Sequence, residues 1–165
     1  MALQKNVGLV PAIGIPGQEV VVGQAVYLSH NPLSDGTVKA GAFAFKGTAS
    51  GDGEVFGHAS ATGSVLLGFV ERVVDASIPN IYDSATAVYP AGAEVTVAIR
   101  GQFYTNAPNA ISADGLKVWV NGTTGAIRVG AEESGSTEID TGWVCKIPNG
   151  GTSAAKDDVV IIEKF

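Results

Sequence analysis

Short apolar runs rich in Val, Ile, Phe and Tyr recur along the chain, separated by clusters of Gly, Asn, Asp and Pro. Runs of this kind are typical of β-strands, whose successive side chains point to opposite faces. No segment shows the periodicity of an amphipathic helix. We predict strands within 19–29, 37–47, 64–74, 87–92, 94–106, 141–148 and 158–165, and a hairpin over 115–130 that turns at NGTTG.

The spacing of these runs indicates an all-β fold. About eight short strands separated by turn residues are typical of a sandwich or a barrel, and 165 residues fit a single domain with one core. We expect a single-domain, jelly-roll-like β-sandwich over residues 18–165, or alternatively a small distorted β-barrel. An extended N-terminal arm over residues 1–17 precedes it. Two long segments, 48–63 and 78–90, interrupt the strands, and long loops are often functional.

The chain opens with MALQKNVGLVPAIGIPGQEV, which is apolar but rich in Gly and Pro. Pro11, Gly14, Pro16 and Gly17 interrupt every apolar run, so we expect neither a secretory signal nor a membrane-spanning segment. Proline fixes φ and disfavours helix in the residue before it, which predicts an extended course for Val7–Pro16. The stretch is either an N-terminal strand of the core or an arm that lies on a neighbouring subunit.

The composition narrows the class of partner. Charged residues make up 16% of the chain and the net charge is −6, whereas an average globular domain has about 25% charged residues. We therefore expect another molecule to cover much of the surface. Lys and Arg form no cluster, so we expect neither a nucleic-acid partner nor binding to a membrane surface.

The residues that carry chemistry in other proteins form no recognisable site. His30 and His58 lack the partners and spacing of a zinc site, and no GxSxG, P-loop or calcium-loop motif is present. Cys145 alternates with apolar neighbours in DTGWVCKI, as a small strand residue does. We therefore expect no catalytic residue, no metal and no cofactor.

Several stretches resemble, in order, the cement or head-decoration proteins of tailed bacteriophages. The opening NVGLVPAIGIPGQEV is similar to the segment with which mature chains of that family begin. Further similar stretches follow at similar spacing: VKAGAFAF (38–45), GFVERV (68–73), YPAGAEVTVAIRGQFYT (89–105) and DGLKVWVNGTTGAI (114–127). Segments 48–63 and 75–87 depart from the family pattern, and we expect differences in partner contacts there.

The resemblance implies a non-enzymatic structural protein of the virion. Such a protein binds the outside of a capsid and stabilises it by bridging neighbouring major capsid proteins of the HK97-like fold. It associates with itself as a dimer or trimer, and it is present in the host cytoplasm during assembly. We expect the opening stretch to supply the contact residues, with the loop 48–63 as a second candidate. These residues are Val7, Leu9, Val10, Pro11, Ile13, Ile15 and Pro16.

Two other classes of function stay open at this point. The first is a carbohydrate-binding β-module displayed on a virion, which needs an exposed aromatic platform. Its candidate residues are Trp119, Trp143, Tyr82 and Tyr104. The second is a tail or baseplate β-module, which shares the composition of a capsid-binding protein. Nothing in the sequence favours an enzyme.

Overall fold

The structure is a computed structural model, and it describes residues 14–47, 55–56, 65–73 and 88–165. Within these residues the chain forms strands and one turn of 3-10 helix at Pro148–Gly150, without an α-helix. The all-β expectation is confirmed. The strands are β1 (Val26–Tyr27), β2 (Leu33–Ser34), β3 (Phe43–Phe45), β4 (Val55–Phe56), β5 (Leu66–Val70), β6 (Val97–Asn106), β7 (Lys117–Asn121), β8 (Ile127–Gly130), β9 (Glu138–Lys146) and β10 (Val159–Lys164).

The predicted strands differ from the observed ones mainly in the N-terminal half. The predicted strand 87–92 is wrong, because its described residues form only an isolated bridge between Val88 and Lys39. The run 19–29 is only partly regular, because Glu19 forms an isolated bridge with Phe103 and only Val26–Tyr27 is a strand. Strand β9 begins at Glu138, ahead of the predicted start at 141, because it continues pairing with β7. Strand β4 lies within a segment that the sequence predicted as a loop.

One antiparallel sheet contains eight strands. Seven follow the order β3-β5-β6-β10-β9-β7-β8, and β1 pairs with β6 beside this path. Strands β2 and β4 form a separate parallel ladder. Strand β6 is ten residues long. It pairs with β5 at its start and with β10 over residues 101–106, so it links the two halves of the sheet.

The eight-stranded sheet is strongly curled. Neighbouring strands lie about 4.8 Å apart, so the four steps from β3 to β9 would span about 19 Å in a flat sheet. The ring centroids of Phe43 in β3 and Trp143 in β9 are nevertheless only 6.2 Å apart. The sheet therefore bends into a half-barrel, and the described strands do not show the two packed sheets of a sandwich.

The aromatic side chains on the inner face hold this curl together. Phe43, Phe69, Phe103 and Trp143 are all buried, and their contacting rings have centroids 5.3 to 6.2 Å apart. Aromatic pairs in this range attract each other by about 0.5–1.5 kcal/mol beyond the burial of their surface. Because the four rings come from β3, β5, β6 and β9, they join strands from distant positions in the sheet.

A second, smaller core covers the other face of the sheet at the β3 end. Ala44 and Val70 point away from the aromatic cluster because side chains alternate along a strand. They pack with Tyr89, whose hydroxyl donates to the Glu71 carbonyl at 2.7 Å and accepts from the Val73 amide at 3.1 Å. This end of the sheet is therefore buried on both faces.

Replacing Phe69 with alanine should strongly destabilise the fold. Phe69 contacts Phe43, Phe103 and Trp143, and truncation of a buried Phe costs about 3–5 kcal/mol. The free energy of unfolding, measured by urea denaturation, should fall by this amount. As a control, Val65→Ala at an exposed position just before β5 should change it by no more than about 0.5 kcal/mol. Equal losses in the two variants would contradict the aromatic cluster as the centre of the core.

Candidate functional site

The predicted arm reaches the described part of the chain only at its last residues. The side chain of Ile15 is 49% exposed. Pro16 packs against Gly41, where an added Cβ would lie 3.1 Å from the Pro16 Cβ. The remaining predicted contact residues lie outside the described residues, and their role stays a prediction: Val7, Leu9, Val10, Pro11 and Ile13.

The chain enters the sheet on the β5 edge of β6. The Gly17 amide donates to the Tyr104 carbonyl at 2.8 Å, and the Val20 amide donates to the Gln102 carbonyl at 2.9 Å. The Gly17 carbonyl in turn accepts from the amide of Arg72, which follows β5, at 2.8 Å. The root of the N-terminal stretch is therefore bonded on both sides into the sheet.

The chain then changes to the opposite edge of β6. Tyr27 in β1 pairs with Ala98, and Ala98 pairs on its other side with Phe69 in β5. Strands β1 and β5 must therefore occupy different edges of β6. The chain crosses over β6 between Val20 and Val26, and we call residues 20–25 the crossing turn.

The crossing depends on Gly101 in β6. A Cβ at this position would lie 2.9 Å from the Cβ and 3.0 Å from the Cα of Ala25. Gly101 also has a φ of +136°, which side chains of L-residues disfavour. The absence of a side chain thus lets the crossing turn lie directly on the backbone of β6.

The buried carboxylate of Glu19 fixes the shape of the crossing turn. It accepts hydrogen bonds from the amides of Gly23 at 3.0 Å, Gln24 at 3.0 Å and Ala25 at 2.7 Å. The two oxygens of one carboxyl group can accept several hydrogen bonds, and here they serve three amides outside the strand ladders, of which Gln24 also donates to the Val21 carbonyl at 3.3 Å. Glu19 was absent from the residues predicted for the site.

The crossing turn and its neighbours present apolar side chains to solvent. Val22 is 89% exposed, and Val21 and Val26 are also exposed. Phe165 is exposed and follows Lys164, which pairs with Gly101 beneath the turn. We call this group the valine patch; its members are Val21, Val22, Val26 and Phe165. The other exposed large apolar side chains among the described residues are Ile15 at the root of the stretch and Val65.

The exposed charged side chain beside the valine patch is that of Arg100, a cation. Arg100 pairs in register with Val26, is exposed, and forms no ion pair with the described residues. The neighbouring carboxylates are engaged in the fold, since Glu163 accepts from the Gln102 side chain at 2.8 Å and Glu71 bonds to Tyr27. Burial raises the pKa of Glu71.

The proposed sugar platform is not assembled. Trp143 is part of the aromatic core, and Tyr82 lies outside the described residues. Trp119 is buried, with the Lys117 ammonium 5.4 Å and the Arg128 guanidinium 6.0 Å from its ring centroid. The ring of Tyr104 packs against Gly14, where an added Cβ would clash with it. The described aromatic side chains therefore do not form an exposed platform.

An ion pair beside Trp119 fastens β8 to β9. The Arg128 side chain donates to the Glu138 carboxylate, with Nε 2.6 Å from Oε1, and the Ser134 amide donates to the same group at 2.7 Å. The hydrogen bond from Arg128 lowers the pKa of Glu138 to about 2. Glu138 therefore stays ionised in all but strongly acidic solution.

The described residues offer no arrangement for catalysis or metal binding. They bring no three His, Cys, Asp or Glu side chains together as a metal site. Burial raises the pKa of Cys145 to about 12, so its thiol stays protonated and unreactive. His30 is exposed on a turn, and His58 lies outside the described residues. No helix in the described part of the chain has the length and hydropathy to span a bilayer.

Sequence reasoning placed the site in the opening stretch and missed the crossing turn. It read Val21, Val22 and Val26 as strand residues, because β-branched residues favour strands. The signals that were available are Gly23, which takes a φ of +86°, and a lone Glu19 ahead of an apolar run. The pairing of Glu19 with Phe103 in β6 and the packing of Ala25 on Gly101 are long-range features that periodicity does not report.

Comparisons with known proteins agree with this architecture. Residues 3–164 match the model of a family described as structural cement protein, with E217 gp24 and Pam3 gp6 given as examples. A chain from the structure entitled "The capsid of Myoviridae Phage XM1" has the same fold, with a TM-score of 0.66 and 12% sequence identity. The match covers 99% of this chain and 97% of that chain. No curated protein matches the sequence.

Replacing Glu19 with alanine should loosen the crossing turn and destabilise the protein. The amides of Gly23 and Ala25 lose their acceptor, and Gln24 keeps only a 3.3 Å bond to the Val21 carbonyl. Each lost hydrogen bond costs about 0.5–1.5 kcal/mol, or more where the acceptor is charged. We expect the free energy of unfolding in urea to fall by about 2–3 kcal/mol. Glu19→Gln, which keeps one acceptor oxygen, should recover part of the loss. No difference between Glu19→Ala and the unchanged protein would contradict the assigned role.

The ion pair of Glu138 should make stability depend on pH in the acidic range. Its pKa is lowered to about 2 from 4.5, so its contribution is complete above about pH 4.5 and disappears as the pH falls toward 2. Glu138→Gln should therefore reduce the loss of stability between about pH 5 and pH 2, measured by urea denaturation. Glu133→Gln, at an exposed carboxylate in the loop before β9, should leave that loss unchanged. A parallel decline in the Glu138→Gln variant and the unchanged protein would argue against the pair.

Proposed function

The chain belongs to the structural cement protein family, matched from residue 3 to residue 164, and from this we propose that it binds the outside of a phage capsid. Membership of this family makes it a structural protein and not an enzyme. We further propose that it bridges neighbouring major capsid proteins of the HK97-like fold. The observation that carries the proposal is the family match over nearly the whole chain.

Bridging would stabilise the capsid by mass action. A molecule that binds the assembled shell more tightly than free subunits lowers the free energy of the shell relative to its parts. Each copy that spans a junction adds contacts that must break before the junction opens. The symmetry of the shell repeats this contribution over many equivalent sites. The low content of charged residues, 16% of the chain, fits a surface that is largely covered in the particle.

The opening stretch is our candidate for one of the capsid contacts. Its predicted apolar residues are Leu9, Val10, Ile13 and Ile15, and the prolines would limit the entropy lost on docking. The hydrogen bonds that join Gly17 to Tyr104 and to Arg72 support this role, because they would transmit a force on the opening stretch directly to the sheet.

The remaining features of the proposal concern assembly and fold. We propose that the protein associates with itself as a dimer or trimer, is present in the host cytoplasm during assembly, and then lies on the capsid exterior. Of the two folds expected over residues 18–165, we favour the distorted barrel. The approach of Phe43 to Trp143 supports it. A cavity lined both by residues at the β3 end, such as Lys39 and Phe43, and by Gly125 in the turn between β7 and β8 supports it too.

Removing residues 2–13 should abolish or strongly weaken capsid binding. This deletion spares Gly17 and its bonds to the sheet, so the domain should unfold at the same urea concentration as the full chain. Purified protein is mixed with expanded capsids that lack it, and the bound fraction is measured by co-sedimentation. The full chain should bind at a fixed ratio to the capsid subunit, and the deletion should raise the Kd at least about tenfold, or 1.4 kcal/mol.

A second variant separates apolar contact from chain length. Replacing Leu9, Val10 and Ile13 with serine keeps the length and should weaken binding similarly. Equal binding of all three proteins would remove the opening stretch from the interface while leaving capsid binding intact. Failure of the full chain to bind would overturn the proposed function.

A further inference from the structure

We propose that the valine patch is a second, preformed docking surface, and that it binds an apolar depression with an acidic rim on the capsid shell protein. This inference rests on the proposed function, since the partner is the shell that the protein would stabilise. It differs from the contact of the opening stretch, because the patch lies on residues 21–26 and on the end of β10.

The valine patch is held rigidly outside the core. The buried carboxylate of Glu19 binds three amides of the crossing turn, and Gly101 lets the turn lie on β6. This support leaves Val22 with 89% of its surface exposed. A turn that only needed to carry the chain from the root of the opening stretch to β1 would gain more by burying such a side chain. A rigid apolar protrusion also loses little conformational entropy when it binds.

The exposed large apolar side chains of the described residues are concentrated at the valine patch. Of the large apolar side chains that are exposed in the described part of the chain, Val21, Val22, Val26 and Phe165 belong to the patch. Two of them lie beside neighbouring residues of β6. Val26 pairs with Arg100, and Phe165 follows Lys164, which pairs with Gly101. Clustered exposed apolar side chains mark interaction sites, whereas scattered ones do not.

The positive charge of the Arg100 side chain selects the occupant of the patch. Arg100 is exposed beside Val26 without an ion pair among the described residues, although the whole chain carries a net charge of −6. The nearby carboxylates Glu19, Glu71 and Glu163 are bound within the fold. A two-fold contact between two copies would place the patch on itself, and would bring Arg100 against its own copy. An acidic rim on a different protein has the complementary charge.

The test compares Val22→Asp with Val65→Asp in the co-sedimentation assay with capsids that lack the protein. Both residues are exposed valines, but Val65 lies outside the patch. Val22→Asp should raise the Kd at least about tenfold, and Val65→Asp should change it less than about twofold. Arg100→Glu should weaken binding as well, and its effect should shrink at about 1 M salt, where charges are screened within about 3 Å.

The outcomes separate this inference from the proposed function. If the unchanged protein binds and Val22→Asp binds equally well, the patch is not a docking surface, while capsid binding stands. If Val22→Asp keeps capsid binding but lowers the mass of the protein in solution, the occupant is a second copy and the inference is wrong. Val22→Ser, which adds no charge, guards against a folding defect, and all variants should unfold at the same urea concentration. If the unchanged protein does not bind, the proposed function fails.

Discussion

Strand β6 has hydrogen-bond partners along both edges, and the arrangement of the rest of the protein depends on this. Buried backbone amides and carbonyls must be paired, and β6 meets the demand with four different segments. Strand β5 and the root of the opening stretch lie along one edge, and β10 and β1 lie along the other. The same strand carries Phe103 into the aromatic core and Gly101 to the crossing turn. The core and the candidate site are thus built on one element.

Much of the fold could be predicted from the sequence because it depends on local patterns. The hairpin of β7 and β8 follows from alternation and the NGTTG turn, and β6 and β10 are apolar runs bounded by turn residues. The curl could not be predicted, because it depends on Phe43 meeting Trp143 across three intervening strands. The short β1 could not be separated from its flanks either, since Glu19 and Gly101 determine where the chain leaves regular pairing.

The candidate site was predicted less completely than the fold. Reading for apolar residues found the opening stretch, of which only Ile15 and Pro16 lie within the described residues. The same reading assigned Val22 to a strand, although it lies on a turn that faces solvent. Burial depends on tertiary contacts, so an apolar residue on a docking surface cannot be told from a core residue by its type. The structure therefore adds an apolar surface on the crossing turn to the contact that the sequence resemblance implied for the opening stretch.

Together these features describe a protein that acts by binding to other molecules. A curled sheet with an aromatic core provides a stable body, and the root of the opening stretch and the valine patch adjoin on β6. The most direct test of this account is the position of the protein on a capsid that it saturates, determined by electron cryomicroscopy. The account predicts density on the outer surface across junctions between capsid subunits, with β6 and the crossing turn facing the shell. Density confined to the tail, or to the middle of a single capsid subunit, would contradict it.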